Sequence, residues 1–368
     1  MRVGASIGNI VGQVTVGLIA DPGLPEKIMH QLKSKLANEL RHGTDDAEVW
    51  KVHTKREKLP LNSEGEIPFF SLTKRLKNEN GWDYLFYLTD LPRAADGEPM
   101  LVEIDHEMSG ALISLPVLGA VGVQAKARRL ILALVHALRA EPLATAFHQL
   151  DGVGLGRTSY HPGEERDKPS YLTTSGRSGR FRLLVGMVRN NRPGRLLPAL
   201  SSCIAAAAAS GAFGIFYAAI WNMADALSPL RLFMISVLSI GALSAWLIMH
   251  NGLWSKTKRH SKWDINEARR DNAATIITVY LSVTIMYLVL YGMLLAGSIA
   301  VISTSYLQSQ LGHPVGFLDY ATLSWLAASL GTIAGALGSN FDQDEAIREA
   351  TYSRRQHERR KLAESYED

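Results

Sequence analysis

The chain is 368 residues long, 47% hydrophobic and 20% charged, with a formal net charge of +4 and a pI near 9.0. Its single cysteine, Cys203, excludes an intramolecular disulfide and any cysteine metal centre, and fits a reducing compartment. The basic balance makes anionic lipid the first partner to expect; no aromatic-studded basic face of the nucleic-acid-binding kind accompanies it.

The opening of the chain holds one Arg, but its middle alternates and includes Asn9 and Gln13, so it reads as a strand and not as a secretory signal. Residues 13–20 (QVTVGLIA) form that strand, closed by Asp21-Pro22-Gly23. A helix is predicted over 25–41, with Ile28, Leu32, Leu36 and Leu40 on one face, Pro25 in its first turn and Gly43 as its stop. Residues 48–54 (EVWKVHT) predict a second strand, and 69–77 open a short helix that 78–81 close. Residues 82–88 (WDYLFYL) read as a strand running into Thr89-Asp90-Leu91-Pro92. Two more strands, 99–104 and 111–115, precede a helix over 124–138 whose apolar stripe is Leu130, Leu134, Val135 and Leu138. This alternation predicts an α/β domain over residues 1–150, long enough to bury its own core.

Residues 151–177 are rich in Gly, Pro, Ser and charge and predict a linker. The apolar run 181–188 (FRLLVGMV), too short to span and flanked by Arg, predicts an amphipathic entry at a membrane surface, so that 151–195 form a linker and basic interfacial segment.

Four apolar runs follow within 196–339: 196–220, 232–249, 273–300 and 320–339. None contains Lys, Arg, Asp, Glu or His. A hydrocarbon core ~30 Å thick takes roughly 20 helical residues, so each run predicts a transmembrane helix. Arg177, Arg180, Arg182, Arg189, Arg192 and Arg195 precede the first run. Lys256, Lys258, Arg259, Lys262, Arg269 and Arg270 separate the second from the third. Further Arg residues, from Arg348 to Arg360, follow the fourth, whereas the intervening loops hold only Arg231. Positive charge therefore marks alternate loops and predicts that both termini are cytoplasmic. Trp221, Trp254, Trp263 and Tyr320 stand near run ends, where amphipathic rings anchor in the interface. The tail, 340–368, is charged, with Ala346, Ile347 and Ala350 as one weak apolar side.

Small residues recur every fourth position: Ala206, Ser210 and Gly214; Gly292, Ala296 and Ala300; Ala327, Gly331, Gly335 and Ser339. Such ridges let helices approach closely in lipid. They predict packing within the bundle, with a homodimer through the fourth span as the alternative. Pro198 lies in a first turn, where it is tolerated and marks no break. Ser282, Thr284 and Ser298 are the polar positions a pore would line, and nothing else in the pattern suggests one.

Candidate chemistry is sparse. Gly152, Gly154 and Gly156 have the wrong spacing for a dinucleotide loop and follow a helix, which favours a flexible segment. Asp90 ends a strand, where α/β sheets place functional carboxylates, or else caps the turn before Pro92. It is the one weak catalytic candidate. Glu103, Asp105 and Glu107 alternate along a strand with His106 on the opposite face, which predicts a solvated strand end and no metal. No cofactor-binding or metal motif is expected.

The strand–helix order before 124–138, with its Thr-Asp turn and the Ser-containing strand LISL, resembles the layout of compact zinc metalloproteases of the archaemetzincin kind. That resemblance implies HExxH on the following helix. Here the window is His136-Ala137-Leu138-Arg139-Ala140, which lacks the general base and the second imidazole, and His148 lies beyond Pro142. The resemblance thus implies a zincin-like fold without the metal chemistry. The whole chain also resembles a family of actinobacterial four-span membrane proteins, through VGLIADPGLPEKI (16–28), WDYLFYLTDLP (82–92), SLPVLGA (114–120), VGMVRNNRPGRLLPALSS (185–202), HPVGFLDYATLSWLAASLGTIAGALGS (313–339) and DEAIREATY (344–352). This implies an architecture and transfers no functional residue.

The expectation is an α/β cytoplasmic N-terminal domain followed by an all-α bundle of four transmembrane helices in the inner membrane. The function expected is a non-catalytic, membrane-anchored ligand- or protein-binding sensor or adaptor. A small transporter or channel component and a membrane-tethered enzyme using Asp90 are the alternatives.

Overall fold

The computed structural model describes residues 12–43, 48–62, 66–139, 157–163, 169–254 and 262–339. The chain divides between Asn190 and Asn191 into two compact units.

The first unit is built on a mixed sheet. Strand β1 (Gly12–Ala20) leads through Pro22-Gly23 into helix α1 (Leu24–Gly43), which buries Ile28, Leu32, Leu36 and Leu40. Strand β2 (Glu48–Arg56), helix α2 (Phe69–Asn80) and strand β3 (Tyr84–Thr89) follow. Gly81 ends α2 in the left-handed conformation, its N–H donating to the Lys77 carbonyl. The two-residue β4 (Ala94–Ala95) turns through Asp96-Gly97 into β5 (Glu98–Asp105), and β6 (Gly110–Ser114) precedes helix α3 (Val123–Arg139). Strands β7 (Thr158–His161) and β8 (Ser170–Thr174) and helix α4 (Gly176–Asn191) complete the described elements. The order across the sheet is β2-β1-β3-β6-β5-β8-β7, with β4 against β5. β2, β1, β3 and β6 run parallel to one another; β5 pairs antiparallel with both β6 and β8, and β8 antiparallel with β7.

Two expectations are corrected here. The linker assigned to 151–177 contains β7 and β8, which extend the sheet beyond β5. The second is the interfacial segment over 181–188, which lies inside α4 and buries Leu183 and Met187 in the first unit. Seating is tight: a Cβ on Gly186 would overlap the Pro116 carbonyl. The α/β domain is therefore longer than 1–150. The GVGLG segment, His148 and the 340–368 tail lie outside the described residues.

The second unit is helical. Among the described residues, three helices are long and apolar enough to cross a membrane: α7 (Pro229–His250), the Ala268–Val301 part of α8 (Lys262–Val301) and α10 (Phe317–Gly338). The run expected as one helix over 196–220 is instead a single turn at Leu196–Ala199, then α5 (Ser201–Phe216), then α6 (Ala218–Ala226) bent by 86° from α5. The described residues thus hold three candidate spans, or four if this bent pair counts as one. Tyr217 is extended at the break (φ −99, ψ 111), and the Trp221 indole N–H donates to the carbonyl of Ile215 at 2.9 Å. A side chain thereby replaces a helical bond that the bend removes. Trp221 and Tyr320, expected at the interface, are both buried, and the Tyr320 hydroxyl donates to Ile302 O at 2.9 Å. Helix α9 (Thr304–Leu311) lies between α8 and α10. Phe213, Phe233, Leu238, Leu288, Met293 and Leu337 are exposed, an apolar outer surface of the kind that lipid solvates.

Helices α5 and α10 pack with their backbones close together. A Cβ on Gly331 would overlap the Ala207 carbonyl, one on Gly335 would fall 3.1 Å from Cys203 O, and one on Gly214 would fall 2.9 Å from Ala327 Cβ. The α5 ridge is Cys203, Ala207, Gly211 and Gly214; Ser210 is only half-buried and stands beside it. Gly292, expected as a packing position, is exposed on α8 with open space around it.

Gly331→Ala is therefore expected to destabilise the bundle by about 1–3 kcal/mol, the range for overpacking a closed contact. Gly292→Ala should be neutral or stabilising, since Ala is the better helix former. Melting of the full chain in detergent compares the two.

Candidate functional site

The C-terminal ends of parallel strands are where open α/β sheets hold ligands. Here those ends carry Asp21, Thr89-Asp90 and Ser114 after or within β1, β3 and β6. The parallel register pairs Ala20 with Leu88, so Asp21 falls beside Thr89, and Thr89 pairs with Ser114. Asp21 is 1% exposed. It accepts the Tyr87 hydroxyl at 2.5 Å on Oδ1, and on Oδ2 the Thr89 hydroxyl at 2.7 Å and the Asp90 N–H at 3.2 Å. The Tyr87 oxygen in turn accepts the Leu59 N–H at 3.1 Å. Thr89 Oγ1 accepts the Leu91 N–H, and the Ser114 hydroxyl donates to Leu91 O at 2.8 Å. A buried carboxylate is tolerable when several donors converge on it, and this one holds three.

Asp90, the sequence candidate, lies inside this network and is 5% exposed. Its carbonyl accepts from Asn190 Nδ2 at 3.3 Å, so α4 closes over the turn it occupies. The residue that organises the site is Asp21, which sequence reasoning took only as the stop of the first strand.

Glu103 and Asp105 are not solvated. Pairing of β8 with β5 places Tyr171 opposite Glu103 and Ser170 opposite Ile104, so β5 is an interior strand. Glu103 pairs with Arg93 at 2.5 Å, both side chains being largely buried. Burial pushes the Glu103 carboxyl up from its ordinary range, and the guanidinium of Arg93 pulls it back down. Asp105 accepts the Met108 N–H at 3.0 Å; its carboxyl is also pushed up by burial. Glu107 is exposed, and His106 Nε2 lies 3.4 Å from the Tyr160 hydroxyl. His136 is exposed on α3, and Arg139 beside it forms a bidentate pair with Glu48, both distances 2.7 Å.

In the second unit the buried hydroxyls bond to one another and to helix carbonyls. Trp325 Nε1 donates to Ser236 Oγ at 2.6 Å, and the Tyr287 hydroxyl lies 3.0 Å from Ser236 Oγ and 2.9 Å from Ser329 Oγ. Ser282 donates to Thr278 O and Pro193 O, Thr284 to Tyr280 O, and Ser298 to Leu295 O with Ser324 Oγ at 3.0 Å. One group of three potential metal ligands converges among the described residues: Asp225, His313 and Asp319.

Neither the family models nor the curated proteins nor the solved structures contain a match to this chain.

Replacing Asp21 by Asn turns one acceptor oxygen into a donor facing buried donors and should cost about 1–3 kcal/mol, seen as a lower urea midpoint. Arg93→Met strands the Glu103 carboxylate and should cost about 3–5 kcal/mol near neutral pH. Without the guanidinium the Glu103 pKa rises further still, so the deficit is full above the variant's own value. It narrows as pH falls through it and the stranded carboxyl becomes neutral. Denaturant titrations at several pH values check both the size and the sign.

Proposed function

We propose that this is a polytopic membrane protein whose N-terminal α/β domain serves as a non-catalytic binding module, a sensor or adaptor anchored by the helical unit. The carrying observation is the closure of the strand ends: Asp21 is filled by three donors, and Asp90 is covered by Asn190 of α4. An enzyme working through Asp90 needs that group open to substrate. A channel or transporter needs Ser282 to face water, whereas it is fully buried and donates to the carbonyls of Thr278 and Pro193.

The connection favours transmission. Asn190 donates to the Asp90 carbonyl in the first unit, and the next residue, Asn191, donates to Thr278 Oγ1 at 3.0 Å in the second. Consecutive side chains at the unit boundary are thus tied into each half.

With the bent α5–α6 pair counted as one crossing, the chain has four spans. The alternating basic loops then support a reading with both termini in the cytoplasm and the basic segments against anionic headgroups of the inner membrane. The family reading is the actinobacterial four-span one. The zincin-like reading of the first unit draws support from antiparallel β5 and parallel β6 standing just before α3. A homodimer through α10 would have to use its Leu330, Ile333 and Leu337 face, because Gly331 and Gly335 are spent on α5.

The function is tested on residues 1–190 alone, melted against nucleotides, divalent metals, folates, sugars and lipid headgroups. A sensed ligand raises the melting temperature once its concentration passes its Kd; a flat panel points to a protein partner. Turnover of any compound, abolished by Asp90→Asn at unchanged stability, overturns the non-catalytic reading. Orientation is tested with single cysteines in a Cys203→Ser background. Those placed at 303–316 should label from outside the cell and those at 256–270 should not; the reverse pattern inverts the topology.

A further inference from the structure

At one end of the helical unit three segments bring two carboxylates and an imidazole together. Asp225 stands in the last turn of α6, His313 follows α9, and Asp319 lies in the first turn of α10. One ligand atom from each lies within 4.8 Å of the others. Each is held by its own local structure. Gly312 ends α9 in the left-handed conformation (φ 76), its N–H donating to Gln308 O at 2.9 Å, and this turns the chain so that His313 leaves the helix. The Gly316 N–H donates to Asp319 Oδ2 at 2.7 Å and fixes that carboxylate at the head of α10.

The imidazole is the informative group. Its Nδ1 lies 3.1 Å from the carbonyl oxygen of Pro314, and its Nε2 lies 3.1 Å from Asp225 Oδ1. Both partners are acceptors only. A neutral imidazole has a single N–H, so one of these two contacts would set lone pair against lone pair. The arrangement is satisfied only when a cation sits at Nε2, either a second proton or a metal ion.

A proton would need only the one carboxylate. The second, Asp319, is what a metal site adds, a further oxygen ligand within 4.8 Å; the carbonyl behind Nδ1 suits either cation, since metal-ligating histidines commonly give their other N–H to a carbonyl or carboxylate. We propose that Asp225, His313 and Asp319 form a divalent transition-metal site, best suited to zinc. One nitrogen and two oxygens match zinc's ligand preference, whereas calcium and magnesium take oxygen alone. A cavity of about 150 Å³, lined by both carboxylate residues with Trp221, Thr322 and Trp325, adjoins the site and leaves room for water at the open coordination position. Around zinc, bonds of ~2.0–2.1 Å put ligands about 3.3 Å apart. The separation of up to 4.8 Å therefore means that metal binding draws the 312–316 segment and the head of α10 toward α6. The ion would clip the bent helix pair to the last span.

The test uses the full, tag-free chain in detergent, titrated with Co²⁺ as the spectroscopic probe and then with Zn²⁺. Saturable, stoichiometric Co²⁺ bands that Zn²⁺ displaces are expected. Asp225→Asn, an exposed isosteric change, and His313→Ala should each weaken the affinity roughly tenfold or more. Metal-free melting temperatures show that the variants remain folded, and Asp225→Asn carries the test should His313→Ala fail to fold. Absence of saturable binding, or an affinity unchanged by Asp225→Asn, overturns the proposal and leaves a proton-bridged Asp225–His313 pair.

Discussion

The first unit depends on keeping one carboxylate dry. Asp21 is fully enclosed at the end of β1, where an unsatisfied charge would cost several kcal/mol. Its oxygens are met by a tyrosine, a threonine and a main-chain N–H, all supplied by β3 and the turn after it. The register of β1 against β3 is thereby fixed by polar contacts as well as by the apolar faces, because a slip of one residue would take Thr89 away from Asp21. The same contacts hold the Thr89–Leu91 turn in the shape that presents its carbonyls to Ser114 and Asn190. A position that often receives a ligand is occupied by the protein's own hydrogen bonds.

The second unit solves the reverse problem. Its surface is apolar, so hydrophobic burial in water cannot hold its helices together, and close backbone approach and hydroxyl pairs take over. Gly331 and Gly335 let α10 rest on the carbonyls of α5. Ser236, Tyr287, Ser329 and Trp325 form a closed polar cluster among α7, α8 and α10. Those hydroxyls are structural in the same sense as Asp21: each is spent on a neighbour.

Much of this was legible in the sequence, and the misses have physical causes. β1 to β3, β5, β6 and α1 to α3 follow from hydrophobic period and turn residues, and the three long apolar helices from length and composition alone. β7 and β8 were hidden because each is short and lies in a stretch whose Gly, Pro and charge content reads as linker. That miss caused another: without β8, β5 looks like an edge, and Glu103 and Asp105 look solvated. The bend at Tyr217 leaves no proline signature, and the Trp221 indole that supports it becomes meaningful only once its partner Ile215 is seen. Asp21 read as a turn residue because the three donors that define it are contributed from a strand more than sixty residues later. The Asp96-Gly97 pair was a legible hairpin signal that went unread; both residues adopt positive φ between β4 and β5.

The bend has a bearing on the lipid as well as on the fold. A sixteen-residue helix such as α5 rises only ~24 Å, short of a hydrocarbon core ~30 Å thick. Its neighbours α7 and α10, at twenty-two residues each, rise ~33 Å. The two long helices are thus matched to an ordinary bilayer, and α5 alone is too short to cross one. Were α5 to cross, such a bundle would sit with least strain where the bilayer is locally thin, which would tie its preferred surroundings to acyl-chain length.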